Sequence, residues 1–141
     1  MKARAIGYWI TTALLCFALI GGGAANVAHA WGTLEVMRRL GYPPYILTIL
    51  GVWKLLGAIA LLAPGFPRLK EWAYAGVFFE MTGAAASHAL AGTPAWNIWV
   101  TLGFSLLTLV SWALRPPGRI EGTLFSRGPE RTGAVPERTR A

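Results

Sequence analysis

The sequence has 141 residues, of which 55% are hydrophobic and 13% charged, about half the charged share of an ordinary soluble domain. So few charges cannot cover a surface in water, which excludes a separate soluble domain. The net charge of +7 would suit nucleic acid, but the basic residues lie in ends and loops rather than on one face, so no nucleic-acid partner is expected.

Four apolar stretches are long enough to cross a bilayer, which takes about 20 residues: residues 6–30, 45–63, 72–91 and 96–114. Each is bounded by helix-ending residues: Gly32 with Pro43 and Pro44, Pro64 to Pro67, Gly92 to Pro94, and Pro116 with Pro117. Tyr8, Trp9, Trp31, Tyr42, Tyr45, Trp72, Tyr74, Trp96, Trp99 and Trp112 lie near the ends of these stretches, where an aromatic belt meets the headgroups. The 17 glycines suit close helix packing in lipid. The expected fold is all-α, an integral membrane antiparallel four-helix bundle in residues 1–116.

Lys2 and Arg4 open the first stretch, and Ala28, His29 and Ala30 close it. Together they resemble a signal peptide with its small-residue cleavage site, but the apolar run is long and three more spans follow, so an uncleaved helix is expected. Its Cys16 is the single cysteine, which leaves no disulfide, CxxC pair or thiolate metal site and reads as an inert packing residue. Thr33 to Leu40 read as a short interfacial helix, with Thr33 as N-cap and Gly41 as stop. Leu34, Met37 and Leu40 would lie against the membrane, and Glu35, Arg38 and Arg39 against water. Arg68 and Lys70 fall between the second and third spans, and Arg115 and Arg119 follow the fourth. The positive-inside rule therefore puts both termini in the cytoplasm. Residues 117–141, rich in Arg, Pro, Gly and Thr, read as a disordered basic tail.

Charges inside a bilayer need partners. Lys54 in the second span and Glu80 in the third sit at similar depth, so a direct ion pair is expected. Such a pair fixes helix register or takes part in binding and proton handling, and both readings stand. At 100° per residue Glu80, Ala84, Ser87 and His88 share one side of the third span. Gly76 and Gly83 nearby would admit a neighbouring helix or ligand. Asn26 and His29 share a face of the first span. Asn26, His29, Lys54, Glu80, Ser87 and His88 are therefore the candidate lining of a polar pocket that opens outward. Histidine and glutamate there suit a proton or quinol relay. Two histidines with no third donor at fixed spacing do not make a metal site, and none is expected. Glu71 favours the positive start of the third helix and would pair with Arg68 or Lys70. No P-loop, Gly-x-Ser-x-Gly or His-Glu-x-x-His motif occurs.

Leu40-Gly41-Tyr42-Pro43, Gly51-Val52-Trp53-Lys54-Leu55-Leu56-Gly57-Ala58 and Leu69-Lys70-Glu71-Trp72-Ala73-Tyr74-Ala75-Gly76, followed by Glu80, Gly83 and His88, resemble the signatures of the DoxX-like membrane proteins. The resemblance covers roughly residues 5–115. It implies a bacterial four-helix protein of the cytoplasmic (inner) membrane, with Lys54, Glu71, Glu80 and His88 as functional candidates. The wider DoxX and DoxD group includes a subunit of a thiosulfate:quinone oxidoreductase, which implies association with redox enzymes. This chain lacks paired cysteines and any cofactor motif, so an accessory subunit is expected rather than a standalone enzyme. Quinone is the cofactor candidate, and membrane lipid, a redox protein or further copies of the chain are the candidate partners. The alternative is a non-enzymatic scaffold or small transporter component whose ion pair is structural.

Overall fold

The computed structural model of the chain describes residues 2–30 and 32–116, and the expected tail at 117–141 lies outside them. The described residues form helices and turns, with no strand among them. The helices are α1 (Lys2–Val27), α2 (Thr33–Leu40), α3 (Tyr45–Leu62), α4 (Pro67–Leu90) and α5 (Ala95–Ala113). Helix α1 packs on α3 and α5, and α4 packs on α5 and α3. Among the described residues α1, α3 and α5 are long and apolar enough to cross a membrane. Helix α4 has 24 residues but carries Arg68, Lys70, Glu71 and Glu80, so apolarity alone gives three spans where four are expected.

The bounds differ from expectation where a charge or a turn decides them. Helix α4 starts at Pro67, ahead of the expected residue 72, because proline at the first helical position gives up only an N–H that has no partner there anyway. Lys70 is consequently no loop residue. It is 2% exposed and folds back on the end of α3, its ammonium donating to the carbonyls of Ala60 (3.1 Å), Leu61 (2.6 Å) and Ala63. A cation on these orphaned carbonyls satisfies and closes the helix end. Helix α1 stops at Val27, short of residue 30, and His29 takes a left-handed backbone, φ 51°.

Large apolar side chains point outward. Phe17, Trp53, Phe79 and Trp99 are each at least 66% exposed, the pattern of helices solvated by lipid. The inside holds a core of Leu15, Cys16, Leu19, Ala58, Leu61, Tyr74 and Val77, together with buried hydroxyls. Ser105, Thr108 and Ser111 recur on one buried face of α5, as expected where helices pack in lipid through small and hydrogen-bonding residues. Helices α1 and α3 cross at two glycines. A Cβ on Gly51 would come within 2.7 Å of Val27 Cγ2 and 2.8 Å of the Gly23 carbonyl oxygen, and one on Gly23 within 3.0 Å of the Gly51 oxygen. No other residue permits that approach.

Two tyrosines expected in the aromatic belt are core residues: Tyr8 is fully buried and Tyr74 3% exposed. Tyr74 can bury because its hydroxyl bonds Ser111 Oγ at 3.0 Å, and Ser111 in turn bonds Thr12 at 2.9 Å.

Candidate functional site

Helices α3 and α4 meet near their middles at two charges. Lys54 Nζ donates to Glu80 Oε1 at 2.8 Å, and both side chains are about 15% exposed. The attraction of two opposite charges at this distance repays part of the cost of leaving water. The pair opens onto a cavity of about 460 Å³, within the size range of small-molecule sites. Asn26 from α1 and Ser87 and His88 from α4 line the same cavity. His88 is 9% exposed and uses Nδ1 on the Thr93 hydroxyl at 2.9 Å, which leaves Nε2 as the second hydrogen-bonding atom of the ring. Ser87 Oγ donates to the Gly83 carbonyl at 2.9 Å and bonds the Tyr42 hydroxyl at 2.8 Å.

Five of the six expected pocket residues thus line one cavity, and His29 stays outside it. Because α1 ends before His29, the residue no longer shares the helical face of Asn26. Its Nε2 instead bonds Thr48 Oγ1 at 3.2 Å at the start of α3. Gly76 and Gly83 do not serve close helix approach, since a Cβ on either would meet nothing within 4 Å. Gly83 lines the cavity, and Gly76 lines a second one.

Helix α2 roofs the first cavity. Thr33, Val36, Met37 and Leu40, spaced as one helical face, line it. Two of the three residues expected against the membrane, Met37 and Leu40, thus line the cavity together with Thr33 and Val36, while Leu34 does not. Thr33 does not cap: Gly32 holds the N-cap position with φ 74° and no side-chain cap bond. Thr33 Oγ1 is buried with no hydrogen-bond partner among the described residues, an unmet polar atom beside the cavity. On the outer face of α2, Arg39 Nε pairs with Glu35 at 3.1 Å.

A second polar cluster sits at the other end of α4. Glu71 pairs with Arg115, Nη2 to Oε1 at 2.5 Å, and accepts the Trp112 indole N–H at 2.8 Å. Its partner is thus Arg115 rather than Arg68 or Lys70, because the start of α4 lies against the end of α5. The Arg115 guanidinium also lies over the Tyr74 and Trp112 rings, 5.3 and 5.4 Å from their centroids. Arg4 donates to the Ala113 carbonyl at 3.0 Å. Sequence reasoning placed Arg115 after the last span and Tyr74 in the aromatic belt, and overlooked Thr12 and Ser111. The available signal was the run of hydroxyls inside apolar stretches, with Ser105, Thr108 and Ser111 three residues apart.

A helical chain with several apolar spans and charges paired between helices is a multi-pass membrane protein. Its sequence matches the model of the DoxX-like family over residues 10–111, well over half of the chain, and the protein belongs to that family. No curated protein and no solved structure matches it.

Proposed function

We propose that this protein is a membrane subunit that holds a small molecule against the Lys54–Glu80 pair and supports a redox process beside a partner protein. A quinone is the leading ligand class. The observation that carries this reading is the ion pair itself: at 2.8 Å it is complete, yet it borders a cavity that Asn26, Ser87 and His88 also line.

All four long helices cross the membrane in this reading, as an antiparallel bundle in the bacterial cytoplasmic membrane. The pairing of Glu80 with Lys54 and of Glu71 with Arg115 supports a span for α4, since paired charges lower its insertion cost. Arg4, Lys70 and Arg115 meet at one end of the bundle, which supports both termini being cytoplasmic. A C-terminal reporter active in the periplasm alone would overturn that orientation.

The site is tested by native mass spectrometry of the detergent-solubilised protein, wild type beside Glu80→Gln. A small molecule bound to the wild type and lost from the variant is the expected result. A bare wild type, with a variant that loses only thermal stability, makes the pair structural and the protein a scaffold.

A further inference from the structure

A second cavity, about 430 Å³, runs between α3 and α4. Trp53, Leu56, Leu69 and Trp72 line it together with Gly57 and Gly76, and its buried lining is Ala60 and Val77. Trp53 and Trp72 are 66% and 80% exposed, so the cleft is open on the lipid-facing side of the helices. Glu80 and Leu50 line this cavity and also the polar one. The two spaces therefore adjoin at the ion pair, one apolar and one polar, with Glu80 at the junction.

Building on the pocket reading above, we infer that the ligand is a single-tailed amphiphile. Its uncharged polar head lies in the cavity beside Lys54, Glu80 and His88, and its apolar tail runs past Glu80 into the α3–α4 cleft. Charge decides the head. Lys54 and Glu80 neutralise each other, so an anionic head would gain the ammonium but face the carboxylate. Asn26, Ser87 and His88 offer donors and acceptors without fixed charge, which suits carbonyl or hydroxyl groups. Shape decides the tail. Two glycines line the cleft, where a Cβ on Gly76 meets nothing within 4 Å and one on Gly57 only Val77 at 3.9 Å. The bare backbone here leaves room for an alkyl chain.

The test uses the full-length protein in detergent, with dissociation constants from native mass spectrometry for three probes. These are a decyl-substituted benzoquinone, the same quinone without its tail, and phosphatidylglycerol. The tailed quinone should bind about tenfold or more tighter than its tail-less parent, since each buried methylene adds to affinity. Gly76→Leu fills the cleft and should erase that advantage while leaving the tail-less affinity unchanged. Trp72→Ala removes an exposed wall and should weaken the tailed probe alone, so the inference does not depend on one variant folding. Glu80→Gln should weaken both quinones alike. If tail and cleft variants make no difference, the tail inference fails and the pocket reading stands. If neither quinone binds the wild type, both fail. Phosphatidylglycerol displacing the tailed quinone overturns the uncharged head.

Discussion

The two ends of α4 carry similar chemistry to different effect. At one end Lys70, Glu71 and Arg115 are packed among carbonyls and the rings of Tyr74 and Trp112. Tyr74, Ser111 and Thr12 form a continuous hydroxyl chain there. Toward the other end Glu80, Ser87 and His88 face a cavity under α2. In the first cluster Glu71 and Arg115 are held by several of the protein's own groups, beside a smaller cavity of about 210 Å³ that Glu71 and Tyr74 line, and the cluster contributes stability. The second keeps hydrogen-bonding capacity turned to open space, which is what a binding site requires. Burial of charge alone does not separate the two; what the charge faces does.

Substitutions that break this contrast rank by how much buried charge they strand. Arg115→Ala removes the buried partner of a one-third-exposed Glu71 and uncovers the Tyr74 and Trp112 faces, so a loss of about 2–4 kcal/mol is expected, less than for a fully buried pair. A fall in detergent melting temperature checks it, and a change within error would show that the Arg115 end is not what holds the bundle. Lys70→Met keeps the stem but strands three α3 carbonyls, with an expected loss of about 2–3 kcal/mol. Glu80→Gln leaves Lys54 with a neutral partner and should cost about 1–3 kcal/mol. The double change Lys54→Met with Glu80→Leu should recover most of that stability, because apolar replacement of a buried pair is often neutral. Ligand binding should be lost in both. Recovered binding in the double variant would place the ligand elsewhere.

The crossing of α1 on α3 comes next. Gly51→Ala puts a methyl against the Gly23 carbonyl oxygen and Val27, and about 1–3 kcal/mol of destabilisation is expected from such overpacking. Gly76→Ala on α4 should cost nothing, because its Cβ enters open space and alanine is the better helix former by about 1 kcal/mol. Equal melting temperatures for the two variants would contradict the close crossing.

Much of this was legible before any coordinates. Long apolar runs gave the helices, and two charges at matching depth gave the Lys54–Glu80 contact. Edges and faces were not legible, because they depend on which neighbour a side chain reaches. Lys70 looks like a loop cation until the end of α3 is seen beneath it. Tyr74 looks interfacial until Ser111 supplies a buried partner for its hydroxyl. His29 lies on the Asn26 face only if α1 continues past Val27, and a left-handed residue there turns the chain away. The apolar face of α2 is legible in Met37 and Leu40, but the cavity beneath them is not, because no sequence pattern says whether lipid or a cavity lies below an amphipathic helix.

Helix α2 offers the smallest effect and a local probe of the comparison. It has left-handed glycines at both ends, Gly32 at φ 74° and Gly41 at φ 79°, and no residue of it is buried. Gly41→Ala adds a methyl that meets nothing within 4 Å but forces alanine into a left-handed backbone, at about 1 kcal/mol. Because α2 roofs the cavity and packs weakly below, that strain should loosen the roof rather than unfold the bundle. Hydrogen exchange should rise in Val36 to Leu40 while α1 and α5 keep their protection, and any bound ligand should dissociate faster. Uniformly faster exchange would mean that α2 is as integral to the fold as the Arg115 end, and the contrast between the two ends of α4 would lose its structural basis.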